Sequence, residues 1–98
     1  MQIKHEAIAG TLESSDAQVT VRPAPELSLH ISSSVLNQYG RQIKAVAEQT
    51  LKRLAVERGT IEIVDKGALD CTLKARIEAA IYRSADQSAA GIAWEVLA

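Results

Sequence analysis

AGTLESSD, residues 9–16, sits between two runs of alternating polarity. Ile8, Gly10 and Leu12 alternate with Ala9, Thr11 and Glu13, the two-residue period of a strand. After Ser14, Ser15 and Asp16 the alternation resumes, with Val19 and Val21 opposite Gln18, Thr20 and Arg22. Two alternating runs around a short polar break predict a β-hairpin, with strands over 7–13 and 17–22. Ser and Asp suit the break because their side chains bond nearby backbone groups. The tip is therefore expected to be exposed, with hydroxyls that another protein can reach. On composition alone the stretch is a surface turn and nothing more, since such turns join elements in most domains.

Working outward, Pro23 and Pro25 break the ladder, because neither donates a backbone hydrogen bond. Leu27, Leu29 and Ile31 alternate with Ser28, His30 and Ser32, which predicts a third strand completing an antiparallel meander. Ser32, Ser33 and Ser34 are N-cap candidates for the helix that follows. In it Val35, Leu36, Tyr39, Ile43, Val46, Ala47, Thr50 and Leu54 recur on one stripe, opposite Lys44, Glu48 and Lys52. Gly40 inside this helix costs about 1 kcal/mol relative to Ala, and Gly59 is the expected stop. Residues 60–65 read as a fourth strand, with Ile61 and Ile63 on one side and Glu62 on the other.

A second helix is expected over 68–85, with two apolar stripes. Leu69, Leu73, Ile77 and Ala80 form the larger; Ala68, Cys71, Ala75, Ala79 and Tyr82 form the smaller, which either packs on the first helix or docks a partner. Asp70, Lys74 and Glu78 separate the stripes on one side. Residues 84–91 read as a linker, and 92–98 as an apolar tail around Trp94 that folds back or docks on another subunit. The sum is one α+β domain over 1–98, ordered β-β-β-α-β-α. It should hold a three- to four-stranded sheet with two helices packed on one face.

Composition narrows the function classes. Lys plus Arg is 11 and Asp plus Glu is 12, so no basic excess points to nucleic acid. No apolar run is long enough to span a bilayer, and residues 1–6 lack a signal peptide's apolar stretch. The single cysteine, Cys71, cannot form an internal disulfide. Together these favour the cytoplasm. His5 and His30 are the only histidines, with no spacing of a metal site, and Gly-rich phosphate loops are absent. No catalytic or metal-ligating residues are assigned. Turn chemistry accounts for Glu13 and Asp16 beside the serines.

A second stretch, DKGALDCTLKARIEAAI over 65–81, adds to the first. Together they resemble the acyl carrier subunit, the γ subunit, of citrate lyase. The resemblance implies that the serine directly after TLE, Ser14 here, carries a covalent group, 2'-(5''-phosphoribosyl)-3'-dephospho-coenzyme A, through a phosphodiester. Ser15 offers a second hydroxyl, and turn chemistry alone does not separate the two. The implied cycle runs on the arm: its thiol is acetylated, the α subunit (a CoA-transferase) exchanges acetate for citrate, and the β subunit (a citryl lyase) releases oxaloacetate. A separate transferase attaches the arm, so the carrier needs no catalytic base and has no turnover alone. Four-helix carriers place a D-S-L serine at a helix start; this chain has no D-S-L, so that bundle is not expected. The alternatives are the acyl carrier of malonate decarboxylase, against which DKGALDC argues, and a small interaction module without a covalent group.

Overall fold

The computed structural model describes residues 1–33 and 36–85, with the backbone alone over 36–40. Six elements follow in order: β1 Ala7–Gly10, β2 Ala17–Arg22, β3 Leu27–Ser33, α1 Leu36–Arg53, β4 Gly59–Asp65 and α2 Asp70–Ser84. The α+β class and the element order are as the sequence predicts. Ser34, Val35 and the 86–98 segment with Trp94 lie outside the described residues, as do the surroundings of Gly40.

The expected meander does not form. The sheet order is β1-β2-β4-β3, with β4 inserted between β2 and β3. β4 runs antiparallel to β2 and parallel to β3. Two physical causes produce this order. The 18-residue α1 carries the chain back along the sheet by roughly 27 Å, so β4 must start at the same end as β3. The link between β2 and β3 contains both prolines, and residues 23–26 bridge the slot of about 9.6 Å that a single inserted strand requires. That link passes over the start of β4, where the Gly59 N–H donates to the Glu26 carbonyl at 3.1 Å. Gly59 has φ +131°, and a Cβ there would lie 2.5 Å from Ile3 Cδ1 and 3.0 Å from the Arg22 carbonyl oxygen.

Gly59 is therefore a strand residue, not the helix stop. α1 ends earlier, with Ala55 in the left-handed region at φ 56°. The Val56 N–H donates to the Leu51 carbonyl at 3.0 Å and the Ala55 N–H to the Lys52 carbonyl at 3.1 Å. Those two bonds are a Schellman closure with alanine at the position usually held by glycine.

One face of the sheet packs on both helices. Val19, Val21, Ile61 and Ile63 are fully or almost fully buried against Ile43, Ala47 and Leu51 of α1 and Leu73, Ile77 and Ile81 of α2. Each such side chain contributes about 1.5–3 kcal/mol by leaving water. On β1 the inward residue is Ala9; Ile8 and Leu12 point to solvent, so the larger residues of that alternation are the outer ones. Alanine is what fits, because α2 crosses close over this strand. On β3, an edge strand, Leu29 and Ile31 are half-buried while Leu27 is exposed. On α2, Leu69 precedes the helix and is 70% exposed, so it leaves the core stripe. Tyr82 is buried, so the smaller stripe is no continuous outer surface. Glu78, expected on a polar row, is fully buried and ion-paired with Arg53 of α1.

Candidate functional site

β1 is shorter than the alternation suggests. It stops at Gly10, whose φ is +86°, and a Cβ there would fall 1.8 Å from the Ala17 carbonyl oxygen. The chain leaves the ladder at that glycine and forms a loop over 11–16. The Asp16 N–H donates to the Glu13 carbonyl at 3.2 Å, closing a β-turn with Ser14 and Ser15 at its corners. Ser15 takes φ 65°, as the third position of a type II turn requires. Ser14 and Ser15 are both exposed. Among the described residues neither hydroxyl has a hydrogen-bond partner, so the expected exposure of the tip is observed.

The turn is braced from outside its own hairpin. The Ser15 N–H donates to the Lys66 carbonyl at 2.8 Å, and the Lys66 N–H donates back to the Asp16 carbonyl at 2.8 Å. The Asp16 carboxylate collects four donors: Arg76 Nε at 2.9 Å and Nη2 at 3.2 Å, Thr11 Oγ1 at 2.7 Å, and the Ala17 N–H at 2.7 Å. The Arg76 guanidinium first, then the Thr11 hydroxyl and the Ala17 N–H, hold this carboxyl well below the usual carboxylate range. The same pairing raises the Arg76 pKa further. Thr11 Oγ1 also accepts from the Glu13 N–H at 3.2 Å, which sets the approach to the turn.

The loop that meets the tip is itself fixed by a carboxylate. Asp65, buried at the end of β4, accepts from Ser33 Oγ at 2.8 Å and from the N–H groups of Gly67 at 3.2 Å and Ala68 at 3.0 Å. Register places Asp65 opposite both Ala17 and Ser33. Thus the two stretches quoted from the sequence, 9–16 and 65–81, are one object in space. The second holds the first in position.

Sequence reading found Ser14 and Ser15 and missed the brace. Asp16 is more than a turn former, because Arg76 of α2 reaches across to pair with it. The signal available was an Asp just after the serines and an Arg on a packed helix, and nothing in the linear spacing pairs them. His30 is exposed on β3 and Cys71 is exposed at the start of α2. Among the described residues no group of His, Cys, Asp and Glu could hold a metal ion, and no helix is long and apolar enough to cross a membrane.

A family model described as "Malonate decarboxylase delta subunit (MdcD)" matches residues 4–84. Curated relatives are more specific. A "Citrate lyase acyl carrier protein" of Lacticaseibacillus casei is 53% identical over 87 residues, covering 88% of this chain and 86% of that one. Another of the same name, from Pectobacterium atrosepticum, is 49% identical over 98 residues, covering 99% of this chain and all (100%) of that one. This chain belongs to the citrate lyase acyl carrier protein family. The fold is shared more widely. One chain of the crystal structure of a Pseudomonas malonate decarboxylase hetero-tetramer in complex with malonate superposes with a TM-score of 0.73 at 23% identity. That match covers 83% of this chain and 84% of the other. Among the described residues this chain forms a mixed sheet with two helices, not a helical bundle, and that sheet is the scaffold for the tip.

Proposed function

We propose that this chain is the acyl carrier subunit of a citrate lyase complex and that Ser14 is the attachment point of its prosthetic arm. The observation that carries the reading is an exposed, unbonded serine hydroxyl at the first corner of a turn braced by Asp16, Arg76 and Lys66. It stands in a chain whose full-length relatives bear that name. The residues fit a phosphodiester-linked phosphoribosyl-dephospho-coenzyme A. Ser14 Oγ supplies the one bond needed, and the neighbouring loop leaves room, since a Cβ on Gly67 would meet nothing within 4 Å. When bound, the group supplies a thiol that carries acyl thioesters.

The chain's own residues do positional work. Asp16 and Arg76 hold the turn, Thr11 sets its approach, and Ser14 stays exposed at the tip. A tethered group meets the next active site at an effective concentration far above that of a free one. No base contacts Ser14 Oγ among the described residues, so activation of the hydroxyl falls to the enzyme that attaches the arm. The subunit is read as non-catalytic and cytoplasmic. Its partners are the α CoA-transferase and β citryl lyase subunits, together with the attaching transferase. Ser14→Ala should abolish loading and citrate cleavage while leaving the melting temperature unchanged; Ser15→Ala should load fully. Intact mass after coexpression with the attaching enzymes checks this, and a fully loaded Ser14→Ala chain would move the site. The family model's description favours a second reading, the carrier of malonate decarboxylase. Reconstitution with each set of catalytic subunits separates the two by whether citrate is cleaved or malonate decarboxylated.

A further inference from the structure

Among the described residues, two of the four large hydrophobic side chains left exposed lie at the Ser14 end of the sheet. Leu12 is 54% exposed and stands two positions before Ser14. Leu69 is 70% exposed and lies in the loop that braces the turn, three positions after Lys66. Exposed single leucines are ordinary on protein surfaces, so exposure alone decides nothing.

Leu69 carries a second cost. It occupies the N-cap of α2, with extended dihedrals of φ −69° and ψ 157°, and makes no side-chain capping bond. Asn, Asp, Ser or Thr would satisfy a free helix N–H there, and leucine is among the poorest residues for the position. The residue thus gives up a side-chain cap and leaves most of its surface in solvent. Leu12 likewise sits in a loop whose hydrogen bonds run from Thr11 to Asp16 and from the Glu13 N–H to Thr11, and it stays 54% exposed. Such exposure leaves the fold little use for an apolar group at either place.

The reaction at Ser14 does have one. An enzyme that forms a bond to Ser14 Oγ must bring its reacting phosphorus to about 3–3.5 Å from that oxygen. Its surface therefore has to close over the turn and the loop beside it. The catalytic subunits face no such demand, because they need reach only the far end of the arm. We propose that Leu12 and Leu69 are the recognition residues by which the arm-attaching transferase seats the Ser14 turn, each entering an apolar recess beside that enzyme's active site. The inference rests on Ser14 being the attachment point and deepens that reading by naming how the site is found.

The test uses the full chain, purified transferase and its activated prosthetic-group donor, with loading followed by intact mass. Leu12→Asn and Leu69→Asn should each lower kcat/KM for the carrier at least tenfold, chiefly through KM. Leu69→Asn should at the same time raise the melting temperature by a few degrees, because asparagine caps the helix. Leu27→Asn is the control: Leu27 is 45% exposed but pairs with Gly59 at the opposite end of the sheet, and its loading rate should not change. Wild-type and variant chains loading with equal kcat/KM would overturn the recognition role and leave Ser14 as the attachment point. A wild-type chain that never gains mass would overturn both. Loading that falls equally in all three variants would show a general effect of lost surface apolarity and defeat the assignment to these two leucines.

Discussion

Ser15 and Ala55 are the two non-glycine residues with positive φ among the described residues, at 65° and 56°. They reach the same backbone conformation by different means. Ala55 is held locally: its turn closes on Leu51 and Lys52, within one turn of the helix it ends, and Leu54 and Val56 on either side are buried. Ser15 is held from afar, by the Lys66 carbonyl and through its neighbour Asp16 by Arg76 of α2. The first arrangement ends a helix with backbone N–H bonds to adjacent residues, and the Met1 ammonium adds bonds to the Leu54 and Ala55 carbonyls at 2.6 and 2.8 Å. The second exists only when the β4–α2 region is folded. If Ser14 is the attachment point proposed above, an enzyme that reads this turn meets its shape only on a folded chain, and loading should require folding.

Substitutions can break this contrast, beginning with the largest effect. Gly10→Ala forces a Cβ into the Ala17 carbonyl at a positive φ. It should cost about 3 kcal/mol and lower the melting temperature by more than about 10 °C, with loading lost in proportion to the unfolded fraction. Next comes Arg76→Met, which keeps the stem over Gly10 but removes the guanidinium. Amide exchange at Ser15 and Lys66 should accelerate at least tenfold, while Ala55 and Val56, closed by local bonds, keep their wild-type protection. Equal acceleration at both turns would show that the two are not held independently.

Acid acts on the same brace. In the native chain Asp16 titrates well below the usual carboxylate range because Arg76, Thr11 and the Ala17 N–H favour its charged form. The unfolded value is about 3.9. A depressed native pKa gives stability that is complete above the unfolded value and lost as pH falls toward the native one. Thermal melts from pH 7 to pH 2.5 should thus show a flat contribution down to about pH 4 and a decline below it. Asp16→Asn should flatten that decline. Unchanged acid sensitivity in Asp16→Asn would assign the decline to other carboxylates. The smallest effect sharpens the other side of the comparison. Ala55→Gly should stabilise the chain by about 0.5–1 kcal/mol, since glycine relieves the left-handed penalty and gives back part of it in chain entropy. Loading of Ser14 should be unaffected.

Much of this molecule is legible in one dimension. Period-two alternation locates β2 and β4, where Val19, Val21, Ile61 and Ile63 all turn inward, because a strand exposes successive side chains to opposite faces. The stripe of Ile43, Ala47, Thr50 and Leu54 locates α1 for the matching reason. Where a face is shared by residues of similar polarity the rule fails. The alternation around β1 assigns no face, and it is small Ala9, rather than Ile8, that fits beneath α2. Glu78 reads as a surface residue until Arg53 arrives from another helix to pair with it.

What the sequence by itself determined is the kind and order of elements, the turn that exposes Ser14, and the family to which both marked stretches point. These follow from local periodicity and turn chemistry, which act over a few residues. Only the tertiary structure decided that β4 enters between β2 and β3, that Gly59 serves a strand while Ala55 ends the helix, and that Asp16 finds Arg76 across the domain. Pairing of strands and of distant charges depends on which surfaces must be buried together. That is a property of the whole packed chain and leaves no periodic trace in any one segment.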